Sequence, residues 1–296
     1  MSLIRSLHFV LGHPLNQGRQ LSAFARWLRW QIGSRLQPGA VLVRFVEDLC
    51  LLIQPGMTGG TGNLYCGLHE YEDMALVLHA LRKDDLFVDV GANIGSYSMI
   101  GAAAKAAVMA FEPIPATCAW LQRNVAVNGV ADRVHVLNQG VGGGVGRLRF
   151  TAGLDTVNHV LAEDEFAADA LEVPVVTLDQ ALAGRSPNLI KIDVEGFETE
   201  VLAGAEQTLA NPALMAVIME LNGSGARYGF DEDSIHQGML ARGFQTYRYD
   251  PAKRALLSLH GKRSDSGNTL YVCDVERLVE RVSSAGRYRL GTDIDV

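Results

Sequence analysis

The sequence predicts an α/β fold, in which a doubly wound, mostly parallel sheet of seven strands follows an annex of one helix and one β-hairpin. Two observations carry this prediction. From Leu86 onward, short apolar runs alternate with helical segments, as they do where helices cover both faces of a parallel sheet. The first run, Leu86 to Val90, ends abruptly in a glycine-rich turn, and the next run delivers an acid, Glu112, 21 residues after Gly91.

Composition and length place the chain among globular α/β proteins. With 296 residues, of which 48% are apolar, it is long enough for one large domain and accessory elements. No apolar run reaches about 18 residues, which disfavours a spanning helix, and the start, MSLIRSLHFVLGHP, predicts no secretory signal. Four scattered cysteines favour reduced thiols and a cytoplasmic protein, and a formal net charge of −7 disfavours a nucleic-acid partner.

Charge is unevenly distributed along the chain. Residues 1–46 contain six arginines and no Asp, Glu or Lys. A helix is expected over residues 21–36, with most of its arginines on one side. The residues on its other side are Phe24, Trp27, Leu28, Gln31 and Ile32. Such a helix packs on its own protein, or it docks on a membrane surface or an acidic partner, so peripheral membrane contact stays open.

The remaining elements are predicted in chain order. A hairpin is expected at 41–46 and 49–53, and the glycine-rich segment 58–73 is expected to be a flexible loop and a candidate lid before a helix at 73–82. Strands are predicted at 86–90, 107–112, 133–138, 188–193, 214–221, 244–249 and 270–273. Helices are predicted at 95–105, 115–128, 177–183, 197–209 and 231–242.

These elements divide the chain into three parts. The basic annex occupies residues 1–64, the main domain residues 65–274, and a short helix with a loose tail residues 275–296. Within the main domain, an insertion at about 140–176 opens with GVGGGVGRLRF, which predicts a turn into an extra strand.

The turn after the first strand of the sheet, D-x-G-x-x-x-G, is a candidate ligand loop. Gly91 and Gly95 allow the backbone to approach a ligand closely, and Asn93 tolerates a left-handed turn. A dinucleotide turn would have a third close glycine, and Asp89 would set a carboxylate beside the pyrophosphate. The same carboxylate suits the ammonium group of S-adenosylmethionine, and Glu112 lies where a ribose is bound through its hydroxyls. The loop therefore favours S-adenosylmethionine over NAD.

Polar residues at the other strand ends outline the rest of the site, because ligands bind beyond the carboxyl ends of parallel strands. The third strand ends at Asn138 and Gln139, where adenine would lie, although Asn138 could equally be a turn residue. The fourth strand carries Lys191, Asp193 and Glu195 on one face. We expect this face to point toward the ligand.

Asp193 is the strongest catalytic candidate of these residues. It could lie beside the sulfonium and the acceptor, orient a hydroxyl, or share a divalent metal with Glu195 or with Glu220 at the end of the fifth strand. Alternatively, Asp193 and Lys191 simply neutralise each other, because an unpaired buried charge is costly. The sequence leaves metal dependence open.

A hydroxyl that accepts a methyl group also has to lose its proton. His159, in the insertion, is the first candidate base, since an unperturbed histidine pKa of about 6.5 lies near working pH. The other predicted catalytic residues are Lys191, Asp193 and Glu195. His69 is the second candidate base. The residues expected to contact substrate or a lid are His69, Glu70, Asn158 and Glu220. No Ser-His-Asp, Cys-His or zinc-like spacing is present in the sequence.

With these residues assembled, the chain resembles the FkbM family of S-adenosylmethionine-dependent methyltransferases. The matching motifs are DVGANIGSYS at 89–98, FEPIP at 111–115, LQRNVAVNG at 121–129, VPVVTLDQAL at 173–182 and IKIDVEGFETEVLAGA at 190–205. The resemblance implies a class I methyltransferase (Rossmann-like) fold and O-methylation of a hydroxyl on a sugar, glycan or secondary metabolite. It implies an active-site role for Asp193 and Glu195 and cofactor contacts at Asp89, Gly91, Asn93, Gly95 and Glu112. It does not identify the acceptor or the oligomeric state.

Two other functions stay open at the level of sequence. One is a protein that keeps the cofactor pocket and has lost turnover. The other, weaker alternative is a nicotinamide-dependent oxidoreductase, because the strand-turn-helix pattern with a distant acid also serves dinucleotides.

Overall fold

The computed structural model of the chain describes residues 3–151, 158–161, 165, 170–265 and 268–296. Of the LDTVNHV segment in the insertion, Asn158, His159 and Val160 fall within these ranges, and the first four residues lie outside them.

Among the described residues, three helices and a hairpin come before α4 and the main sheet. They are α1 (Leu3–Gly12), α2 (Gln20–Leu36), β1 (Val41–Val46), β2 (Leu49–Ile53) and α3 (Thr58–Cys66). The hairpin and α2 confirm the prediction, whereas α1 is an addition to it.

The expectation of a flexible loop over residues 58–73 is wrong, because α3 occupies most of that segment. Its glycines are needed for packing. A Cβ on Gly60 would lie 2.7 Å from the Ile53 side chain, and a Cβ on Gly62 would lie 2.1 Å from Nδ1 of His69. Tertiary contacts thus outweigh the low helix propensity of glycine.

The remaining strands form two sheets. They are β3 (Leu86–Val90), β4 (Ala107–Phe111), β5 (Val134–Leu137), β6 (Gly140–Val141), β7 (Gly146–Phe150), β8 (Leu171–Val176), β9 (Leu189–Ile192), β10 (Ala216–Glu220), β11 (Gln245–Asp250), β12 (Ala255–Ser258) and β13 (Asn268–Val272). The insertion holds the three-stranded sheet β6-β8-β7, where the sequence predicted one extra strand.

The main sheet positions the site. Five strands run parallel in the order β5-β4-β3-β9-β10. The antiparallel β13 lies between β10 and β11, and β12 extends the edge to eight strands instead of the predicted seven. β12 is only four residues long and its sequence, ALLS, lacks the alternation typical of a strand. The arrangement confirms the doubly wound, class I methyltransferase (Rossmann-like) fold.

The helices of the main domain cover both faces of the sheet, as predicted. They are α4 (Tyr71–Ala80), α5 (Ser96–Ala103), α6 (Pro115–Val127), α7 (Leu178–Leu182), α8 (Glu198–Ala203), α9 (Glu206–Leu209), α10 (Glu232–Ala241) and α11 (Val275–Ser283). The single helix expected at 197–209 is two short helices, because Gly204 interrupts it against the backbone of the insertion: a Cβ there would lie 2.1 Å from the carbonyl oxygen of Gly142.

The annex and the main domain share one hydrophobic core. Apolar side chains of α2, β2, α4 and α5 belong to the same buried cluster. Two asparagines of α6 fasten the hairpin, since Asn124 accepts from the N–H of Leu52 at 2.6 Å and Asn128 accepts from the N–H of Cys50 at 2.7 Å. The predicted division at residue 64 therefore does not separate two packing units.

The carboxyl-terminal tail is not loose, contrary to expectation. Leu290 is fully buried and bridges to Val46 of β1, and the N–H groups of Tyr288 and Val296 donate to each other's carbonyl oxygens. Within the described part of the chain, no helix combines the length and the apolar character needed to cross a membrane.

Candidate active site

A cavity of about 280 Å³ lies beyond the carboxyl ends of β3, β4, β9 and β10. This is the point where the order of the strands reverses and where open sheets of this kind bind ligands. Most of the predicted site residues line it: Asp89, Gly91, Asn93, Glu112, Gln139, Lys191, Asp193, Glu195, Glu220, His69, Glu70 and Asn158. Residues from five strand ends, the segment before α4 and the insertion thus meet as the sequence predicts.

Three predicted residues do not line the cavity. Gly95 precedes α5 in a left-handed conformation, and a Cβ there would lie 2.3 Å from the Leu121 side chain. The amide of Asn138 donates to the carbonyl oxygens of Glu112 and Pro113 at 2.8 and 2.9 Å, which fixes the loop after β4. His159 is buried behind the wall.

The turn after β3 is shaped by contacts within the protein. At Gly91, with φ of +81°, a Cβ would lie 1.8 Å from the carbonyl oxygen of Asp193. The glycine is therefore required by the neighbouring strand end as well as by any ligand. Asn93 adopts the left-handed conformation that its residue type predicts, with φ of +51°.

Glu112 is held in place from two sides. One carboxylate oxygen accepts the N–H of Asn93 at 2.9 Å and the other accepts the N–H of Ile114 at 2.9 Å. Burial raises the pKa of Glu112 to about 7, although both hydrogen bonds oppose that shift. Each oxygen keeps a further lone pair, so the group can still accept hydroxyl hydrogens of a ribose.

Asp89 is the most deeply buried acid of the cavity wall. Its Oδ2 accepts the hydroxyl of Ser98 at 2.6 Å, whereas Oδ1 has no hydrogen-bond partner among the residues that the structure describes. Burial raises the pKa of Asp89, and Lys191 opposes the shift. A buried acceptor without a donor fits a ligand that brings an N–H group, such as an ammonium.

Lys191 and Asp193 form a close ion pair, with Nζ 2.7 Å from Oδ2. Burial opposes the charge on Lys191, but the carboxylates of Asp193, Glu70 and Asp89 outweigh it and raise its pKa. Burial likewise opposes the charge on Asp193, and Lys191 lowers its pKa in spite of that. Lys191 Nζ also lies 4.7 Å from the ring centre of Tyr97. The pair is therefore ionised and rigidly placed.

Glu220 and Glu195 lie next to Asp193. Burial, the charge of Asp193 and a hydrogen bond to it raise the pKa of Glu220 to about 9, so Glu220 is protonated at neutral pH and donates to Asp193. Oxygens of Asp193, Glu195 and Glu220 lie within 4.8 Å of one another, and carboxylate oxygens suit a divalent cation. The ammonium of Lys191 offsets the charge of Asp193, and Glu220 is protonated, so Glu195 is the carboxylate of this cluster whose charge a cation would meet.

Another part of the cavity wall is formed by α4 and the segment before it. Burial lowers the pKa of His69, so its imidazole is neutral at pH 7. The hydroxyl of Tyr97 donates to Glu70 at 2.7 Å. Tyr97 and Ser98 are functional neighbours that the sequence reasoning missed, although both lie in the DVGANIGSYS motif and in the first turn of the helix that faces back to β3.

His159, the first candidate base, is placed differently from His69. Its Nε2 lies 3.0 Å from Oε1 of Glu165, and its backbone N–H donates to Thr151. Its neighbour Asn158 is the residue that reaches the cavity wall.

Comparison with known proteins agrees with this geometry. A family model described as the methyltransferase FkbM domain matches residues 89–246, which is more than half of the chain. The chain belongs to the FkbM methyltransferase family. The resemblance that the motifs indicate is thereby confirmed.

Two methyltransferases whose names give their substrates are similar to this chain. The hexuronic acid methyltransferase AglP of Haloferax volcanii is 31% identical, over 52% of this chain and 62% of that protein. The 31-O-demethyl-FK506 methyltransferase FkbM of Streptomyces tacrolimicus is 30% identical, over 53% of this chain and 78% of that protein. This FkbM-family chain thus spans less than two thirds of the Haloferax protein.

A solved methyltransferase FkbM from Methylobacillus flagellatus KT is also similar. It is 17% identical with a TM-score of 0.45, and the match covers 91% of this chain and 58% of that one.

Proposed function

We propose that this FkbM-family protein is a methyltransferase that uses S-adenosylmethionine to methylate a hydroxyl group on a sugar, glycan or other small molecule. The observation that carries the proposal is the charge of the cavity. Six carboxyl groups line it, and Lys191 is the one ammonium or guanidinium group on its described wall. The carboxyl groups belong to Glu70, Asp89, Glu112, Asp193, Glu195 and Glu220.

This field favours a cationic ligand over an anionic one. Burial and mutual repulsion raise the pKa values of Asp89, Glu112 and Glu220, so an added positive charge would relieve an electrostatic cost. A pyrophosphate would add two negative charges to the same cavity. The nicotinamide alternative is therefore disfavoured by electrostatics as well as by family.

The binding residues divide between the two ends of the methyl donor. Asp89 would accept from its ammonium group through the unpaired Oδ1, and Glu112 would accept from its ribose hydroxyls. When bound, S-adenosylmethionine supplies a methyl group on a positively charged sulfur. Gln139 lines the cavity beyond β5, where it could meet the adenine edge.

The chain's own residues then orient and deprotonate the acceptor. Asp193, held by Lys191, is ionised and can accept a hydrogen bond from the acceptor hydroxyl. The neutral imidazole of His69 can take the hydroxyl proton as the new oxygen–carbon bond forms. We place His69 before His159 as the base, since His69 lines the cavity and His159 does not.

The substrates of the named relatives indicate the chemical class of the acceptor. Both named relatives act on compounds that carry hydroxyl groups, a hexuronic acid and a demethylated FK506. The cavity wall offers hydrogen-bonding side chains from Glu70, Asn158 and Glu220 to a polyhydroxylated acceptor.

Calorimetric titration with S-adenosylmethionine and S-adenosylhomocysteine tests the proposal. We expect the Glu112→Gln variant to bind both at least about tenfold more weakly, because it loses the charge that accepts ribose hydroxyls. Glu280→Gln removes an exposed carboxylate on α11 and should leave the affinity unchanged. Unchanged affinity in Glu112→Gln would refute the ribose assignment. Tight binding of S-adenosylmethionine without methyl transfer to any acceptor would favour the alternative, in which the protein keeps the cofactor pocket and has lost turnover.

A further inference from the structure

Helix α2 has two apolar faces, and the described part of the chain covers one of them. Ala23, Trp27 and Trp30 are buried, and Trp27 Nε1 donates to Ser6 of α1 at 3.0 Å. The side chains on the opposite side are 38% to 88% exposed and are Leu21, Phe24, Leu28, Ile32 and Leu36. Because they are three or four residues apart, they form one stripe along the helix. We call this set the outer stripe.

The structure corrects the predicted apolar side of this helix. The sequence grouped Trp27 and Gln31 with Phe24, Leu28 and Ile32, but Trp27 faces inward and Gln31 donates to the hydroxyl of Tyr65 on α3. The remaining three belong to the outer stripe. Packing on the protein therefore accounts for one side of α2 and leaves the other unexplained.

The outer stripe lies in a strongly basic setting. Arg29 and Arg35 are exposed and lie three residues before and three residues after Ile32, so they flank the stripe on both sides. Residues 1–46 hold six arginines and no acid. Arg26 is turned inward, where it donates to the carbonyl oxygen of Tyr65 at 2.9 Å. The outer side of α2 is thus apolar along its middle and positively charged along its edges.

We infer that the outer stripe docks α2 onto an anionic phospholipid surface, with the helix axis in the plane of the headgroups. An apolar stripe bordered by arginines has the chemistry of helices that bind such surfaces. The acidic remainder of the chain would be repelled by the same surface, which fixes the orientation of the protein. A twofold contact between two copies of α2 is disfavoured, because it would bring arginines against arginines.

The docking surface lies beside the candidate active site. Trp30, Gln31 and Arg35 of α2 line a second cavity, of about 480 Å³, whose wall includes Thr58 and His69. Both of these residues also line the first cavity. The second cavity therefore joins the protein-facing side of α2 to the candidate active site. The docking itself does not depend on which methyl donor or acceptor the protein uses.

Sedimentation with vesicles tests the inference on the full chain. We expect the protein to bind vesicles of phosphatidylcholine mixed with phosphatidylglycerol, and to bind pure phosphatidylcholine vesicles much more weakly. The double variant Leu28→Asp, Ile32→Asp should lose about tenfold or more in partition to the mixed vesicles, because two apolar side chains no longer enter the interface.

The control is a second double variant, Leu257→Asp, Val279→Asp. It adds the same charge at two side chains that are 46% and 43% exposed on other surfaces, so it should bind as the unmodified protein does. Equal loss in both double variants, or no binding of the unmodified protein to mixed vesicles, would overturn the inference. A dimer in solution that only the α2 variant dissociates would also overturn it and would assign the stripe to a second copy.

Discussion

Asp193 owes its charge to one neighbour. Without the ammonium of Lys191, burial would raise the pKa of Asp193, although the hydrogen bond from Glu220 opposes that shift. The pair is therefore a device that keeps one carboxylate ionised in a wall where Glu112 and Glu220 have raised pKa values. The two-residue spacing of Lys191 and Asp193 predicts that they share one face of the strand. It does not predict that Glu220 donates a hydrogen bond to Asp193.

Replacing Lys191 should change the pH dependence of catalysis. In Lys191→Met, the pKa of Asp193 rises, so we expect methyl transfer at pH 7 to fall by about tenfold or more and to recover partly at higher pH. The measurement is the pH profile of kcat/KM. Lys262→Met, which removes an exposed lysine, should keep the original profile. A uniform loss at every pH would contradict a role through Asp193.

The two candidate bases can be separated by matched substitutions. His69→Asn should lower kcat by about 100-fold and remove the acidic limb that the imidazole contributes, with cofactor affinity retained. His159→Asn should have a smaller effect on kcat, because His159 lies behind the wall and binds Glu165. The reverse order of effects would reinstate His159 as the base.

At the scale of elements, α3 shows where pattern reasoning fails. A run of glycines and threonines before the sheet predicts a loop, because glycine is a poor helix former. The helix forms since its glycines give room to Ile53 and His69, which flank it on either side in the sequence. The same holds for α2, whose pattern predicts a helix but whose two apolar sides can be told apart only when α1 and α3 are in place.

Two glycines of α3 provide an internal comparison. Gly62→Ala places a methyl group against Nδ1 of His69, so we expect loss of about 1 to 3 kcal/mol of stability and a lower kcat. At Gly59 no atom lies within 4 Å of an added Cβ, so Gly59→Ala should stabilise the protein by up to about 1 kcal/mol. Chemical denaturation of both variants checks this. Equal stability of the two would show that His69 adjusts without cost.

At the scale of the whole molecule, buried acids set the response to pH. Burial raises the pKa of Asp73, Glu112 and Glu198 to about 7 and that of Glu220 to about 9. At pH values between these pKa values and the lower ones of the same groups in the unfolded chain, the folded protein binds more protons than the unfolded chain does. Its stability therefore falls as pH rises through that window.

The buried histidines act in the opposite direction at lower pH. Burial lowers the pKa of His13 and His79 to about 4, so below about pH 6.5 the unfolded chain binds more protons at these sites and stability rises with pH. Above that pH the histidines no longer contribute, and the acids lower the stability. We expect Tm to fall by several degrees from about pH 6.5 to about pH 9 in a thermal scan without ligand, and Glu220→Gln to flatten that fall. A Tm that is constant over this range would contradict the raised pKa values.

The amino-acid pattern predicts the strands of the parallel sheet, the glycine turn after β3 and the charged residues of the cavity wall. These follow from local rules, since apolar runs make buried strands and parallel strands deliver their terminal residues to one edge. Long-range packing places Asn138 and Gly95 as supports of the loops and buries the tail at Leu290. It also leaves one apolar side of α2 exposed among the described residues. Those outcomes depend on which distant segments meet, and the free energy of such contacts is not encoded in the spacing of any one segment.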